Sequence, residues 1–182
     1  ADTYGEFNRH GQDSWVLSQR SLDFVSRDEM GYNHSIEEKL FHWSTRDSYQ
    51  RIILRAAGDD NYPADHRNAN IGSAHIRDAY IHMLALKGGM KLDVRNSEKV
   101  IVYLNNAYWG VYDIRDNPDD HDYTEYAYGQ DKYHLEYIET WGNTWAQYGG
   151  QTALNNWNSL YNYIMTNSMA NASNYNTVIN QY

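Results

Sequence analysis

Three groups of residues have types and spacings suited to chemistry. Arg55-Ala56-Ala57-Gly58-Asp59-Asp60 sets a guanidinium, a run of small residues and two adjacent carboxylates close together. Adjacent carboxylates repel, so they are held together by solvent, by cations or by a metal. The same segment also reads as a solvated turn in which Asp59 accepts local backbone N–H groups. Arg77-Asp78 falls in the first turns of an expected helix, where the dipole favours the Asp. There Arg77 is placed to reach a phosphate or to pair with Asp59, or is an ordinary surface residue. Asp116, Asp119, Asp120 and Asp122 have the oxygen density of a Ca²⁺ or Mg²⁺ site. They lack the spacing and central Gly of a calcium-binding helix-loop-helix, and a charge run otherwise reads as a solvated loop. The metal-ligand candidates are therefore Asp59, Asp60, Asp116 and Asp119. His75 and His82 share one side of a helix, but there is no H-E-x-x-H, so metal catalysis through His is not expected. Nucleophile-elbow, P-loop and dinucleotide-binding motifs are absent from the sequence.

These groups need elements to position them. Ser14 to Ser26 alternates like a strand, and Gln50 to Ala57 carries the continuous run Ile52-Ile53-Leu54 expected of a buried strand. Gly58 to Gly72 is a long polar loop. Ser73 then caps an expected helix from Ala74 to about Lys87, closed by Gly88-Gly89, with Ile76, Ala79, Tyr80, Met83, Leu84 and Leu86 on its apolar face. Val100 to Asp116 reads as a hairpin turning at Asn105-Asn106, since both asparagines tolerate positive φ. Ser35 to Phe41 has a capping box, Ser35 with Glu38, and is expected to form a short helix. Tyr123 to Gly129 is expected as a helical turn, His134 to Thr140 as a strand and Trp141 to Gly150 as loop. Thr152 to Asn167 has helical spacing, and a last helix is expected from a cap at Ser173. A chain ending inside such a helix is expected to be part of a longer one.

Composition narrows the partners. The net charge of −9 disfavours binding to a phosphate backbone, so nucleic acid is not expected. No apolar run is long enough to span a bilayer. Without cysteine there are no disulfides, thiolate metal sites or Cys nucleophiles. The 18 Tyr and 6 Trp against 3 Phe suit wet, polar surfaces outside cells.

In order and spacing, LRAAGDDN, then IRDA opening a helix, then VYLNNAYWGVYDIRD resemble the core of the CotH kinase family, with GQDSWVLSQRSLDF similar to its upstream strand pair. Tyr108-Trp109-Gly110-Val111-Tyr112 is the most specific part, and the resemblance covers roughly residues 11 to 140. It implies an atypical Ser/Thr protein kinase of secreted or surface proteins, dependent on ATP and a divalent metal, with a remote kinase-like two-lobe fold; many bacterial members are secreted. Arg20, Arg55, Arg77 and Arg115 are then candidate phosphate contacts. Arg20-Ser21 stands where the family has Lys-Ser, and Arg115-Asp116 where it has Arg-Glu. The family's catalytic and metal-binding acidic residues lie in a later lobe beyond the matched region, so this chain alone is not expected to be competent.

The expected fold is α+β: a mixed or antiparallel sheet with the Ala74 helix packed on it over residues 1–140, and a helical extension over 141–182. The expected function is the nucleotide-side portion of a CotH-like secreted kinase, whose partner is a secreted or surface protein substrate. Two rival readings stand beside it. One is an extracellular adhesion or glycan-binding module, motivated by Trp141, Trp145 and Trp157. The other is a structural subunit of a surface filament or coat, in which the acidic loop binds Ca²⁺ and the partners are neighbouring subunits of the assembly.

Overall fold

A two-residue turn with φ of 50° at Asn105 and 65° at Asn106 joins β6 (Ser97–Leu104) to β7 (Ala107–Arg115). Positive φ at both positions gives the turn a twist that matches the flanking strands. The computed structural model describes residues 2–11, 15, 17–32, 35–58, 60 and 74–182, without the Glu29 side chain. Residues 1–128 and 129–182 form two compact units.

The first unit is built on a five-stranded antiparallel sheet in the order β1 (Glu6–Arg9), β2 (Leu22–Val25), β5 (Arg51–Arg55), β7, β6. The fold is thus α+β. One face of the sheet carries the core. Phe24, Ile52 and Ile114 meet Phe41 and Tyr49, and Ala56, Val102 and Tyr112 continue the layer. Each large side chain buried there contributes about 1.5–3 kcal/mol. The other face is polar in its middle. Arg55, Asp113 and Lys99 stand opposite one another across β5, β7 and β6.

Several local expectations are overturned by tertiary contacts. Residues 35–41 form no helix. Ile36–Glu37 (β3) pairs with Ser48–Tyr49 (β4), and the Ser35 hydroxyl bonds Glu37 and Ser48 instead of capping a helix. Phe41 is thereby buried edge-on against Tyr49, with ring centroids 5.5 Å apart. Of the strand expected from Ser14 to Ser26, the described residues form strand only at Leu22–Val25, and Gln19 donates its amide to the Val111 carbonyl at 2.9 Å; Ser14 and Val16 lie outside the described residues. β1 lies where the sequence has no clear period.

Helix α1 (Arg77–Lys87) is fixed to the first unit by charge more than by its apolar stripe: Ile76, Tyr80 and Leu84 are exposed, and Ala85 is its one buried residue. The cap expected at Ser73 lies outside the described residues. α2 (His121–Tyr128) completes this unit.

In the second unit, β8 (Tyr137–Trp141) and β9 (Asn143–Tyr148) form a hairpin against α3 (Gly150–Thr166), which buries Ala153. Trp141 to Gly150, expected as loop, therefore holds a strand, and position 140 lies inside β8. α4 (Ala172–Gln181) is capped by Asn171, whose side chain accepts from the Ser173 N–H; Ser173 itself is not the cap. No helix among the described residues is long and apolar enough to cross a membrane.

Candidate functional site

A cleft of about 510 Å³ opens on the polar face of the first unit. Its charged wall is Arg55, Lys99 and Asp113, and its aromatic wall is Tyr108 and Trp109. Local backbone geometry sets that second wall. A two-residue turn at 105–106 would pair Val102 with Trp109, yet Val102 faces Gly110 while Tyr103 faces Tyr108. Trp109 is therefore the extra residue of a β-bulge, a device that re-aims a side chain. Gly110, at φ 156°, follows it, and a Cβ there would lie 2.8 Å from the Gln19 amide nitrogen. A side chain at this position would displace the Gln19 amide from the cleft. Ala57, at φ 55°, and His75, at φ 62°, also border the cleft, with backbones that cost a non-glycine residue free energy.

The cations of this face differ in how firmly they are held. Lys99 Nζ lies 2.5 Å from Asp113 and also donates to the His75 carbonyl at 2.7 Å. Arg115 is 1 % exposed, hydrogen-bonds Asp78 of α1 and lies 3.7 Å from Asp113. Among the described residues, the carboxylates nearest Arg55 are Asp78 at 3.7 Å and Asp113 at 3.9 Å. Burial, then the neighbouring Arg115 charge, lowers the pKa of Arg55, while Asp78 and Asp113 oppose the shift. For Asp78 burial works upward, but the Arg115 hydrogen bond and charge prevail and hold its carboxyl below the usual range.

The expected phosphate contacts are not gathered in one place. Arg55 lines the cleft and Arg115 lies in the ion cluster beside it. Arg77 binds Asp60 through Nε at 2.7 Å. Arg20 stacks on the Trp15 ring at 5.3 Å. Lys99 and Asp113 were not singled out from the sequence, because only the bulge brings them opposite each other.

Two of the expected metal ligands, Asp60 and Asp116, have their oxygens taken by N–H donors of the protein. Asp60 accepts the Ala74 N–H on one oxygen and the Arg77 N–H on the other, each at 2.7 Å. It is a long-range cap that ties the end of β5 to the start of α1. Burial resists ionisation, but these bonds and the Arg77 guanidinium pull its carboxyl down to about 2. Asp116 is 1 % exposed and accepts the Asn96 backbone and side-chain N–H groups at 2.7 and 2.8 Å. Asp119 lies 3.9 Å from Arg51, and Asp59 lies outside the described residues. Among the described residues, no three or more His, Asp or Glu side chains are grouped to hold a metal ion.

The acidic loop, readable as solvated, is instead largely buried and ion-paired. Asp120 meets Arg27 and, at 3.3 Å, Arg51; Arg51 also holds Asp23 at 2.8 Å. Asp122 meets Arg46 and accepts the Gln50 N–H at 2.9 Å. Arg46 stacks over Tyr49 at 4.5 Å and Tyr126 at 5.6 Å. Burial and the adjacent Asp120 charge push the Asp122 carboxyl well above the usual carboxylate range. This network joins α2 and the residues before it to β2, β5 and the segment around Arg46. Comparison with models of protein families, with curated proteins and with solved structures finds no match.

Proposed function

We propose that the first unit is the nucleotide-side part of a CotH-like protein kinase, with the cleft beside Arg55 and Lys99 receiving ATP. One observation carries this reading. In a chain of net charge −9, the ion pairs that Arg55, Lys99 and Arg115 make among the described residues are with Asp78 and Asp113, three cations to two carboxylates beside the cleft. Arginine and lysine hydrogen-bond phosphate oxygens strongly, and a re-aimed Trp109 offers a face for a base. Arg55, with its longer ion-pair distances, is the cation that exchanges carboxylates for phosphate, while Asp78 and Asp113 hold Arg115 and Lys99 in position. In this reading ATP arrives with a divalent cation, and Asp60 and Asp116 remain structural. The acceptor is a Ser or Thr hydroxyl on a secreted or surface protein. Supporting it are the order of the family-like segments and the site on which two of them, LRAAGDDN and VYLNNAYWGVYDIRD, converge.

Isothermal titration of ATP with Mg²⁺ into the protein is the test. Saturable binding is expected, and Arg55→Ala should weaken it roughly ten- to a hundredfold, since a charge-assisted hydrogen bond is worth roughly 1.5–3 kcal/mol. Absence of binding by protein with a native circular dichroism spectrum would remove the kinase reading.

A further inference from the structure

The second unit holds a cleft of its own, of about 380 Å³, between β8 and α3. That volume lies in the range of small-ligand sites, ~300–1,000 Å³. Ile138, Ala153 and Leu160 supply its apolar surface, and Trp157, 37 % exposed, supplies an aromatic face. The polar groups are neutral amides and hydroxyls, with one carboxylate. Asn156 Nδ2 donates to Glu136 Oε2 at 2.8 Å, and the Ser159 hydroxyl meets the Tyr182 hydroxyl at 2.9 Å.

This cleft is built by a specific close approach. Gly149 sits at φ 84°, and a Cβ there would lie 2.8 Å from Glu136 Cγ and 3.0 Å from Ala153 Cβ. Only glycine lets β8 bring Glu136 against the first turn of α3.

The surroundings narrow the ligand. From Thr140 to Tyr182 the sequence contains no Asp, Glu, Lys, Arg or His. Among the described residues no cation lines the cleft, so phosphates, sulfates and carboxylates find no counter-charge there. A purely apolar ligand would strip water from Glu136, Asn156 and the hydroxyl pair without replacing those hydrogen bonds. A sugar ring meets both requirements: its C–H face packs on an indole, and its hydroxyls exchange hydrogen bonds with amides, hydroxyls and a carboxylate. We propose that the cleft between β8 and α3 binds a short, neutral saccharide, with Trp157 as the stacking platform and Glu136 and Asn156 as hydroxyl partners. This site is independent of the ATP reading.

The test is titration of the full 182-residue chain with chitotriose, cellotriose, maltotriose and mannotriose, followed by calorimetry and Trp fluorescence. Saturable binding to at least one is expected, without competition from ATP and unchanged in Arg55→Ala. Trp157→Phe should weaken it severalfold and Trp157→Ala about tenfold or more, as loss of an aromatic contact predicts. Asn156→Leu, which keeps side-chain volume near Trp157, should weaken it as well. Trp141→Ala, which removes an indole 81 % exposed on the hairpin, should leave it intact. The proposal is overturned if none of the four sugars binds chain with native circular dichroism. It is equally overturned if Trp141→Ala abolishes binding while Trp157→Ala and Asn156→Leu spare it.

Discussion

In residues 1–128 the polar groups that leave the surface are mostly charged and bound to one another, whereas residues 129–182 have almost no charge to bury. Of the 15 Lys and Arg and 24 Asp and Glu, only Asp131, Lys132, Glu136 and Glu139 lie in the second unit. The first unit uses Arg27, Arg46 and Arg51 to neutralise the buried Asp120, Asp122 and Asp23, and the buried Arg115 pairs with the half-exposed Asp78. The second relies on amide, hydroxyl and aromatic contacts around a hairpin and α3, and Ala153 is the one residue it buries fully. Buried ion pairs are costly to desolvate and intolerant of a missing partner, so they specify geometry. Neutral polar surfaces adapt more easily and suit neutral ligands. The contrast teaches that buried fixed charge is concentrated in the first unit, while the second presents neutral polar and aromatic surface.

The largest effect should follow from breaking the network in the first unit. Arg46→Ala strands the buried Asp122 and removes the guanidinium from Tyr49 and Tyr126, which should cost about 3–5 kcal/mol in urea denaturation followed by far-UV circular dichroism. A loss below about 1 kcal/mol, the level of an exposed pair, would erase the contrast.

The matching lesion in the second unit is steric. Gly149→Ala places a methyl group against Glu136 and Ala153 at positive φ, which should cost roughly 1–3 kcal/mol. Hydrogen exchange should show protection lost in α3 and β8 and retained in β5 and β7. Equal loss in both sets would mean that the units do not unfold separately.

Acidity should separate the units next. The Asp60 carboxyl titrates at about 2 when folded, against an ordinary 3.8. Its stabilisation is present above the ordinary value and is lost as pH falls toward 2. Asp122 acts in the opposite sense. Its carboxyl, pushed up to about 6 by burial and by the charge of Asp120, takes up a proton when folded before it would when unfolded. Stability from this group therefore grows as pH falls from 7 through 6. The first unit should thus show a stability maximum in mildly acidic solution, while the exchange protection of α3 stays nearly level over the same range. A flat profile in the first unit would show that its buried carboxylates titrate normally. The smallest effect is at the hairpin turn. Asn106→Gly relieves an asparagine at φ 65° and should raise stability by less than about 1 kcal/mol, read as a small shift in thermal midpoint.

Much of the fold is legible in residue order. The Asn105-Asn106 turn, the buried Ile52-Ile53 strand, the helix ending near Lys87 and the period of α3 all rest on local conformational preferences that survive folding. Residues 35–41 mislead because their capping box is a weak local preference, and burying Phe41 on Tyr49 outweighs it. The acidic loop misleads differently, since nothing near Asp116 to Asp122 announces that Arg27, Arg46 and Arg51 will converge on it from distant segments.

The sequence by itself determined which residues turn, which alternate and where charge is concentrated or missing, because φ preferences, periodicity and ionisation are local properties. Tertiary structure alone decided what those charges do. One bulge at Trp109 shifts the register by one residue, which sets Lys99 opposite Asp113 instead of Tyr112 and aims an indole at the cleft. Packing α1 across the same face brings Asp78 to Arg115 and Arg55. Such pairings depend on the register between strands and on contacts far apart in the chain, and the energies of a local window do not contain them.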